Sequence, residues 1–123
     1  MELPITGSTL AVATSSTAYQ LSLDIGAYVL NIEGELAVHS PTGASLHRIP
    51  GEPHTDELVA ALSGLITAAA VADGGELRID LASGHRLVVE PDPYFEAWNL
   101  TVPGRYLVVC MPGGELAVWS AES

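Results

Sequence analysis

The feature that most constrains the fold is the C-terminal stretch, where three apolar runs are separated by two tight-turn signatures. The runs read YFEAWNL, RYLVVCM and ELAVW, and the turns between them read TVPG and PGG. In the first turn, Pro103 presets its own φ and Gly104 accepts a positive φ, which predicts a type II turn over residues 102–105. Apolar runs joined in this way indicate consecutive antiparallel hairpins.

These turns also predict which side chains share a face. The first turn predicts three facing pairs: Leu100 with Leu107, Trp98 with Val109, and Ala97 with Cys110. Whichever two of residues 112–114 form the second loop, Val109 lies opposite Leu116 or Val118. One predicted face carries the following side chains: Trp98, Leu100, Leu107, Val109, Met111, Leu116 and Val118. The other carries Ala97, Val108, Cys110, Ala117 and Trp119. Because residues 107–111 are apolar on both faces, the strand around Val109 is predicted to be central and nearly solvent-free.

Alternation of apolar and polar residues predicts five further short strands in the N-terminal part. They cover residues 10–13, 18–25, 28–33, 35–39 and, at a sheet edge, 46–49. In the second of them, the predicted buried face carries Tyr19, Leu21, Leu23 and Ile25. The segment from Pro50 to Pro53 contains two prolines and a glycine, which predicts a loop.

A short helix is predicted over residues 56–62. Thr55 can cap its first turn, and Asp56 and Glu57 suit the positive end of the helix dipole. Residues 65–72 fit either a strand or the continuation of one longer helix over 56–72. The strand is preferred, because Gly64 inside a helix would cost about 1 kcal/mol relative to alanine.

The next hairpin is predicted over residues 76–90, with a three-residue loop at 82–84. In that register Ile79 faces Leu87 and Leu77 faces Val89. A two-residue loop would instead place Leu87 opposite Asp80, so the hydrophobic pattern favours the longer loop.

Together these patterns predict an α+β fold that is predominantly antiparallel β, namely a twisted meander sheet with one short helix packed on it. The length of 123 residues predicts a single domain, residues 1–123. Its predicted parts are N-terminal strands and loops over 1–54, the short helix over 55–63 and a C-terminal β-meander over 64–120.

The charge balance limits the possible partners. Fifteen acidic residues stand against four arginines and no lysine, and the formal net charge is −11. Binding to nucleic acid or to an anionic membrane requires basic clusters, so both are disfavoured. A basic protein partner would be attracted, although acidity could serve solubility alone. The single cysteine and the absence of a basic, apolar N-terminal signal predict a cytoplasmic protein.

No motif for catalysis, nucleotide binding or metal binding is evident. The four histidines have no ligand spacing, and the lone Cys110 is predicted to be a buried, inert thiol. We therefore predict no catalytic residue, no metal site, no cofactor and no enzymatic activity. An enzyme or small-ligand binder that uses His85 or the Glu90–Glu96 loop is the weaker alternative.

The acidic and aromatic segment Glu90, Asp92, Tyr94 and Glu96 is the predicted partner-binding site. Its carboxylates, set around a rigid Pro-Asp-Pro loop, could meet basic side chains of a partner. The alternative is a solvated loop whose aromatic side chains pack inward. Trp98 and Trp119 are predicted to anchor the core.

Several segments resemble a known family: GELRI at 75–79, Ser83-Gly84, Tyr94, EAW at 96–98, VVC at 108–110 and PGGELAVW at 112–119. The chain resembles small actinobacterial proteins with an EAW…VVC-PGGELAVW tail, which are grouped with immunity-like proteins encoded near polymorphic toxins. This resemblance implies a toxin-neutralising role and brings no catalytic residues.

The predicted function is therefore a non-catalytic acidic protein-binding module, with an immunity protein that neutralises a basic toxin as its specific form. The alternative is a homo-oligomeric structural or scaffold module, such as a homodimer formed through a sheet edge or an exposed apolar face. The positive mean hydropathy of +0.32 motivates that alternative.

Overall fold

Period-two alternation of apolar residues along much of the chain produces strands, and the longest stretch between two strands, residues 49–63, holds the helix. The computed structural model describes residues 1–121, which form eleven antiparallel strands and one α-helix. The strands in chain order are β1 (Thr9–Val12), β2 (Leu21–Ile25), β3 (Tyr28–Ile32), β4 (Leu36–His39), β5 (Ser45–Arg48), β6 (Gly64–Val71), β7 (Leu77–Leu81), β8 (Arg86–Val89), β9 (Trp98–Val102), β10 (Tyr106–Cys110) and β11 (Leu116–Ser120). Helix α1 (Asp56–Ala61) lies between β5 and β6, and a 3-10 turn (Pro112–Gly114) precedes β11. The α+β, predominantly antiparallel prediction is confirmed.

The strands form one sheet in the order β11-β10-β9-β3-β2-β1-β6-β7-β8-β4-β5. We call β11, β10, β9, β3, β2 and β1 the β11 half, and β6, β7, β8, β4 and β5 the β5 half. The C-terminal region supplies two three-stranded meanders, β6-β7-β8 and β9-β10-β11, which lie in different halves. The two outermost strands, β11 and β5, are the edges of the sheet.

The two halves fold over one shared core. β6 joins them, since it pairs with β1 at its start and with β7 along its length, and its register shifts between Ile66 and Ala68. A β-bulge of this kind bends a strand and increases its twist. Buried side chains from both halves belong to one hydrophobic cluster. The indole Nε1 of Trp98, in β9, donates to the carbonyl of Gly75, just before β7, at 3.1 Å.

The helix and the β7–β8 hairpin follow their predictions. The Thr55 hydroxyl accepts from the Leu58 amide at 3.1 Å, and Leu58 and Ala61 are buried. Residues 64–71 form a strand rather than a longer helix. Leu77 pairs with Val89 and Ile79 with Leu87, as the three-residue loop required.

The predicted register of the β9–β10 hairpin is wrong by one residue. Leu100 pairs with Val108, and Leu107 pairs with Thr101. The predicted turn is present, because the Arg105 amide donates to the Val102 carbonyl at 2.9 Å. The strands nevertheless resume pairing between Val102 and Tyr106, which leaves Arg105 as an extra residue. A two-residue type II loop would splay right-twisted strands, and one extra residue relieves that mismatch.

The predicted β10–β11 register is also wrong by one residue, because the loop uses all three residues of Pro112–Gly114. Cys110 pairs with Leu116, and Val109 pairs with Ala117. A slip of one residue moves every side chain to the opposite face. The core face therefore carries Trp98, Leu100, Val108 and Cys110, all of them fully buried.

Three predicted placements need correction. β10 is not central, since it is the second strand from the β11 edge, although Val108, Val109 and Cys110 are buried as predicted. Trp98 is a core residue, but Trp119 is 51% exposed because it lies on the outer face of an edge strand. Tyr19 precedes β2 and is exposed rather than buried with Leu21, Leu23 and Ile25.

Candidate protein-binding site

The loop between β8 and β9, residues 90–97, is built to hold a fixed shape. Pro91 and Pro93 restrict the backbone on either side of Asp92. The Asp92 carboxylate accepts from the amides of Tyr94 at 2.8 Å and Phe95 at 3.3 Å. An aspartate that caps the two amides following it is a local turn motif, so the loop does not depend on core packing for its shape.

The same loop is tied to the turn before β11. The Gly113 amide donates to the Asp92 carbonyl at 2.8 Å. Beneath this contact, the turn at Gly74-Gly75 packs against Gly114 so tightly that a Cβ on Gly114 would collide with the Gly74 carbonyl oxygen. The Gly75 carbonyl also accepts from the Trp98 indole and, at 3.6 Å, from the Cys110 thiol. The loop therefore rests on a rigid platform where the two halves of the sheet meet.

This geometry turns the aromatic side chains outward. Tyr94 is 87% exposed and Phe95 is 43% exposed, so the alternative of inward-packed aromatics is wrong. Glu90 and Glu96 are exposed as well. Of the four predicted site residues, Tyr94, Glu90 and Glu96 are thus exposed. Asp92 instead orders the loop, because its carboxylate is already engaged by two amides.

Glu90 stands opposite Glu76, the residue just before β7. A hydrogen bond with Glu76, partial burial and the charge of Glu76 raise the pKa of Glu90. The same hydrogen bond, followed by that from Arg78, lowers the pKa of Glu76. The two carboxyl groups therefore compete for a proton at the base of the loop. The sequence indicates this contact, because Glu76 directly precedes Leu77 and Glu90 directly follows Val89, and the pairing of Leu77 with Val89 was predicted correctly.

A groove of about 490 Å³ runs from Glu90 across the outer face of β8, β4 and β5. It is lined partly by Glu35, His39 and His47. Across residues 1–121, no three histidine, cysteine, aspartate or glutamate side chains group closely enough to hold a metal ion. The groove connects the base of the loop with the β5 edge.

The other residues singled out for chemistry are dispersed. His85 borders a separate cavity of about 280 Å³ between the β4–β5 hairpin and α1, where Glu57 is the neighbouring carboxylate. Burial raises the pKa of the Cys110 thiol, in agreement with the predicted inert cysteine. Neither group lies in the loop that presents Tyr94.

Sequence reasoning missed the most buried charge in the described part of the chain. Arg48, at the end of β5, is 2% exposed. Its Nη2 donates to the Ala18 carbonyl and, more weakly, to the carbonyls of Thr17 at 3.5 Å and Glu52 at 3.4 Å. Desolvation lowers the pKa of Arg48, an effect that the nearby charge of Glu52 opposes. This arginine ties the β5 edge to the β1–β2 loop.

Comparison with known proteins assigns a family. The model of a family of unknown function (DUF6188) matches residues 1–120, and the chain belongs to this family. Neither the curated proteins nor the solved structures gave a match. Helix α1 has six residues, and nothing helical in residues 1–121 has the length and apolarity of a membrane span.

Proposed function

We propose that this member of the family is a non-catalytic protein-binding module that recognises a basic partner protein through its β8–β9 loop. In its specific form the partner is a toxin, and the chain is the immunity protein that neutralises it in the cytoplasm. The resemblance of the EAW…VVC-PGGELAVW tail to small actinobacterial immunity-like proteins is the reason for proposing that form.

The observation that carries the proposal is the outward, ordered presentation of Tyr94 and Phe95 between carboxylates. Exposed aromatic side chains on soluble domains are typical anchors of protein interfaces, and tyrosine is enriched among the residues that dominate binding energy. The Asp92 capping bonds fix the loop before binding, so little conformational entropy is lost when a partner docks.

Charge supplies the choice of partner. Glu90 and Glu96 flank the aromatic pair, and a chain with a net charge of −11 and no lysine attracts a basic surface over a distance of several ångströms. Complementary charge raises the association rate and excludes acidic competitors. A nuclease toxin, which must itself bind a polyanion, presents the kind of surface that this loop would occupy.

The direct test is co-expression with candidate toxins encoded beside the gene. Rescue of growth and a stable complex on size exclusion are the expected results. Tyr94→Ser and the double charge variant Glu90→Arg/Glu96→Arg should each weaken the purified complex at least about tenfold, as losses at an interface anchor do. Tyr19→Ser is the matched control, because Tyr19 is also exposed but lies in the β1–β2 loop.

Asp92→Ala separates ordering of the loop from direct contact. It should weaken the complex mainly by slowing association, since the loop must then be ordered during binding, while Tyr94→Ser should act mainly on dissociation. A complex that forms equally well with all loop variants would rule out this surface. If the chain restores growth with none of the neighbouring toxins, the toxin-neutralising form is ruled out.

A further inference from the structure

Within residues 1–121, no strand pairs with the outer side of β11. The Met111 amide donates to the Glu115 carbonyl at 2.7 Å, and the Ala121 amide donates to the Arg105 carbonyl at 2.9 Å. Since hydrogen-bonding direction alternates along an antiparallel strand, odd-numbered residues of β11 bond to β10. The N–H and C=O groups of Leu116, Val118 and Ser120 therefore point away from the sheet.

This edge has none of the usual features that prevent strand pairing. Residues 116–120 read LAVWS and include no charged residue and no proline. Val118 is 57% exposed on one face, and Trp119 is exposed on the other. Natural sheets normally protect a free edge with lysine, proline, a bulge or a covering segment, and an unprotected apolar edge pairs with another strand.

We propose that β11 pairs antiparallel with β11 of a second copy of this chain, about a two-fold axis at Val118. This register engages all five residues of the strand: Val118 faces Val118, Trp119 faces Ala117, and Ser120 faces Leu116 of the second copy. The two eleven-stranded sheets become one continuous sheet. Such an interface is self-complementary, as two-fold symmetry requires.

Size complementarity supports this register. The large Trp119 side chain of each copy lies beside the small Ala117 side chain of the other, on the outer face of the joined sheet. On the opposite face, the two Val118 side chains cover each other at the axis. Cross-strand apolar pairs of this kind are the units that stabilise a sheet.

Charge complementarity supports it independently. Glu115 of one copy falls opposite Ala121 of the other, and Ala121 bonds to Arg105 on its far side. Arg105, Ala121 and the second copy's Glu115 therefore lie side by side across three neighbouring segments. Only the small methyl group of Ala121 stands between the arginine and the glutamate. Two strand spacings amount to about 10 Å between backbones, a gap that the arginine and glutamate side chains can bridge together. Symmetry creates this pair twice, and both residues are exposed in the single chain.

The pairing does not use residues 90–96, so it stands apart from the proposed toxin-binding role. The test is sedimentation velocity of the full chain from micromolar to millimolar concentration. We expect a monomer–dimer equilibrium that reaches twice the 12.8 kDa chain mass. A mass of one chain at every concentration would overturn the proposal.

Val118→Pro tests the edge itself. Proline removes an N–H that points to the second copy but leaves the β10–β11 hydrogen bonds intact, so the fold persists while dimerisation weakens at least about tenfold. Val118→Thr keeps both the N–H and the β-branched shape and should dimerise like the parent chain. Circular dichroism and urea unfolding check the fold of each variant. Undiminished dimerisation of folded Val118→Pro would place the interface elsewhere and overturn the proposal.

Charge reversal tests the register without touching the strand. Arg105→Glu and Glu115→Arg should each raise the dimer dissociation constant about three- to tenfold, the scale of two exposed ion pairs. The double variant restores opposite charges and should return to within about twofold of the parent chain. Failure of the double variant to recover would exclude this register, and these exposed substitutions give a result even if the proline variant does not fold.

Discussion

The two edges of the sheet are finished in opposite ways. At the β5 edge, the buried Arg48 reaches backbone carbonyls of the β1–β2 loop, and the Gly51 amide donates to the Ala18 carbonyl at 2.8 Å. The Ile49 amide, which follows the strand and points outward, donates to the Glu52 carboxylate at 2.8 Å. At the β11 edge, nothing in residues 1–121 covers the side that faces away from β10. Loops of the chain thus fasten the end of β5, which we call the closed edge, whereas within residues 1–121 no such contact is made on the outer side of β11, which we call the open edge.

The outer faces of the two halves of the sheet also differ, in the charge of the side chains that they carry. Both ion pairs of the described residues, Arg78–Glu76 and Arg86–Asp80, lie on the β5 half. The outer face of the β11 half instead carries an uncharged row in which Ser22 donates to Asn31 at 2.7 Å and Asn31 donates to Asn99 at 3.0 Å. Beyond Asn99, this face continues into apolar Val109 and Trp119. The outer face of the β5 half thus pairs charged side chains, whereas that of the β11 half carries a neutral hydrogen-bonded row and an exposed tryptophan at its edge.

The contrast shows that closing an edge depends on a few specific side-chain-to-backbone contacts. β5 and β11 are both short and both terminal in the sheet, so strand length does not distinguish them. Arg48 and Glu52 do. The largest predicted effects therefore concern the contacts that fix each edge in place.

Gly114→Ala should have the largest effect, because β11 is held in place by β10 and by the turn that precedes it. The added Cβ would strike the Gly74 carbonyl oxygen at a positive φ, so backbone must move, and we expect a loss of more than about 3 kcal/mol. Gly113→Ala is the matched control: its φ is also positive, but its Cβ would meet open space, so it should cost about 1–2 kcal/mol. Urea unfolding measures both, and equal losses would refute the role assigned to the glycine contact.

Arg48→Ala should destabilise the closed edge by about 3 kcal/mol in the free energy of unfolding. The substitution leaves three backbone carbonyls without their shared donor and opens a cavity beside Leu36, which pairs with residue 48. Arg78→Ala, an exposed arginine in an ion pair, should cost less than about 1 kcal/mol. If both variants unfold at the same urea concentration, Arg48 does not fasten the β5 edge.

The sequence pattern predicted the strand register correctly in the β5 half but not in the β11 half. The β7–β8 register was predictable because only one loop length kept Leu77, Ile79, Leu87 and Val89 on the same face. In the β9–β10–β11 meander, residues 107–111 are apolar at every position, so either parity would bury apolar side chains. The hydrophobic pattern could not detect that Arg105 and Gly114 each add a residue to a loop. Those additions follow from strand twist and from packing against a turn some 40 residues earlier in the sequence.

The site was predictable in its composition but not in its geometry. Tyr94, Glu90 and Glu96 stand out as acidic and aromatic residues around prolines. The aromatic side chains point outward because the Asp92 carboxylate accepts from the amides of Tyr94 and Phe95. The sequence alone does not distinguish this arrangement from one in which the Asp92 carboxylate points into solvent. The buried Arg48 had no sequence signal, because a lone arginine at the end of a strand is ordinarily solvated.

Glu52→Ala should convert one amide of the closed edge into an open one. The Ile49 amide loses its acceptor, and we expect a cost of about 1 kcal/mol and exchange of that amide about five times faster. Hydrogen exchange by NMR at a concentration below the dimer dissociation constant, where the monomer predominates, compares the Ile49 amide directly with the Val118 amide, which should already exchange fast. Glu57→Ala, an exposed acid in the next element, should leave Ile49 unchanged. Equal exchange at Ile49 and Val118 in the parent chain would remove the difference between the edges.

Glu90→Gln should have the smallest effect and a defined pH dependence. The raised pKa of Glu90 means that the folded chain binds its proton more tightly than the unfolded chain, so this group's contribution to stability falls as pH rises above about 4.5. The lowered pKa of Glu76 acts in the opposite sense, with its contribution lost as pH falls below that value. A glutamine donates to Glu76 without carrying charge, so at pH 7 the variant should equal or exceed the parent chain by less than about 0.5 kcal/mol, since the site is largely solvent-screened. That advantage should vanish in acid, where Glu90 is itself protonated. Urea unfolding across this pH range measures the advantage, with Glu96→Gln as the control that removes an exposed carboxylate of the same loop. A loss of stability of the Glu90→Gln variant at pH 7 would mean that the ionised carboxylate of Glu90 stabilises the fold. The proton shared between Glu76 and Glu90 would then not be what stabilises this pair.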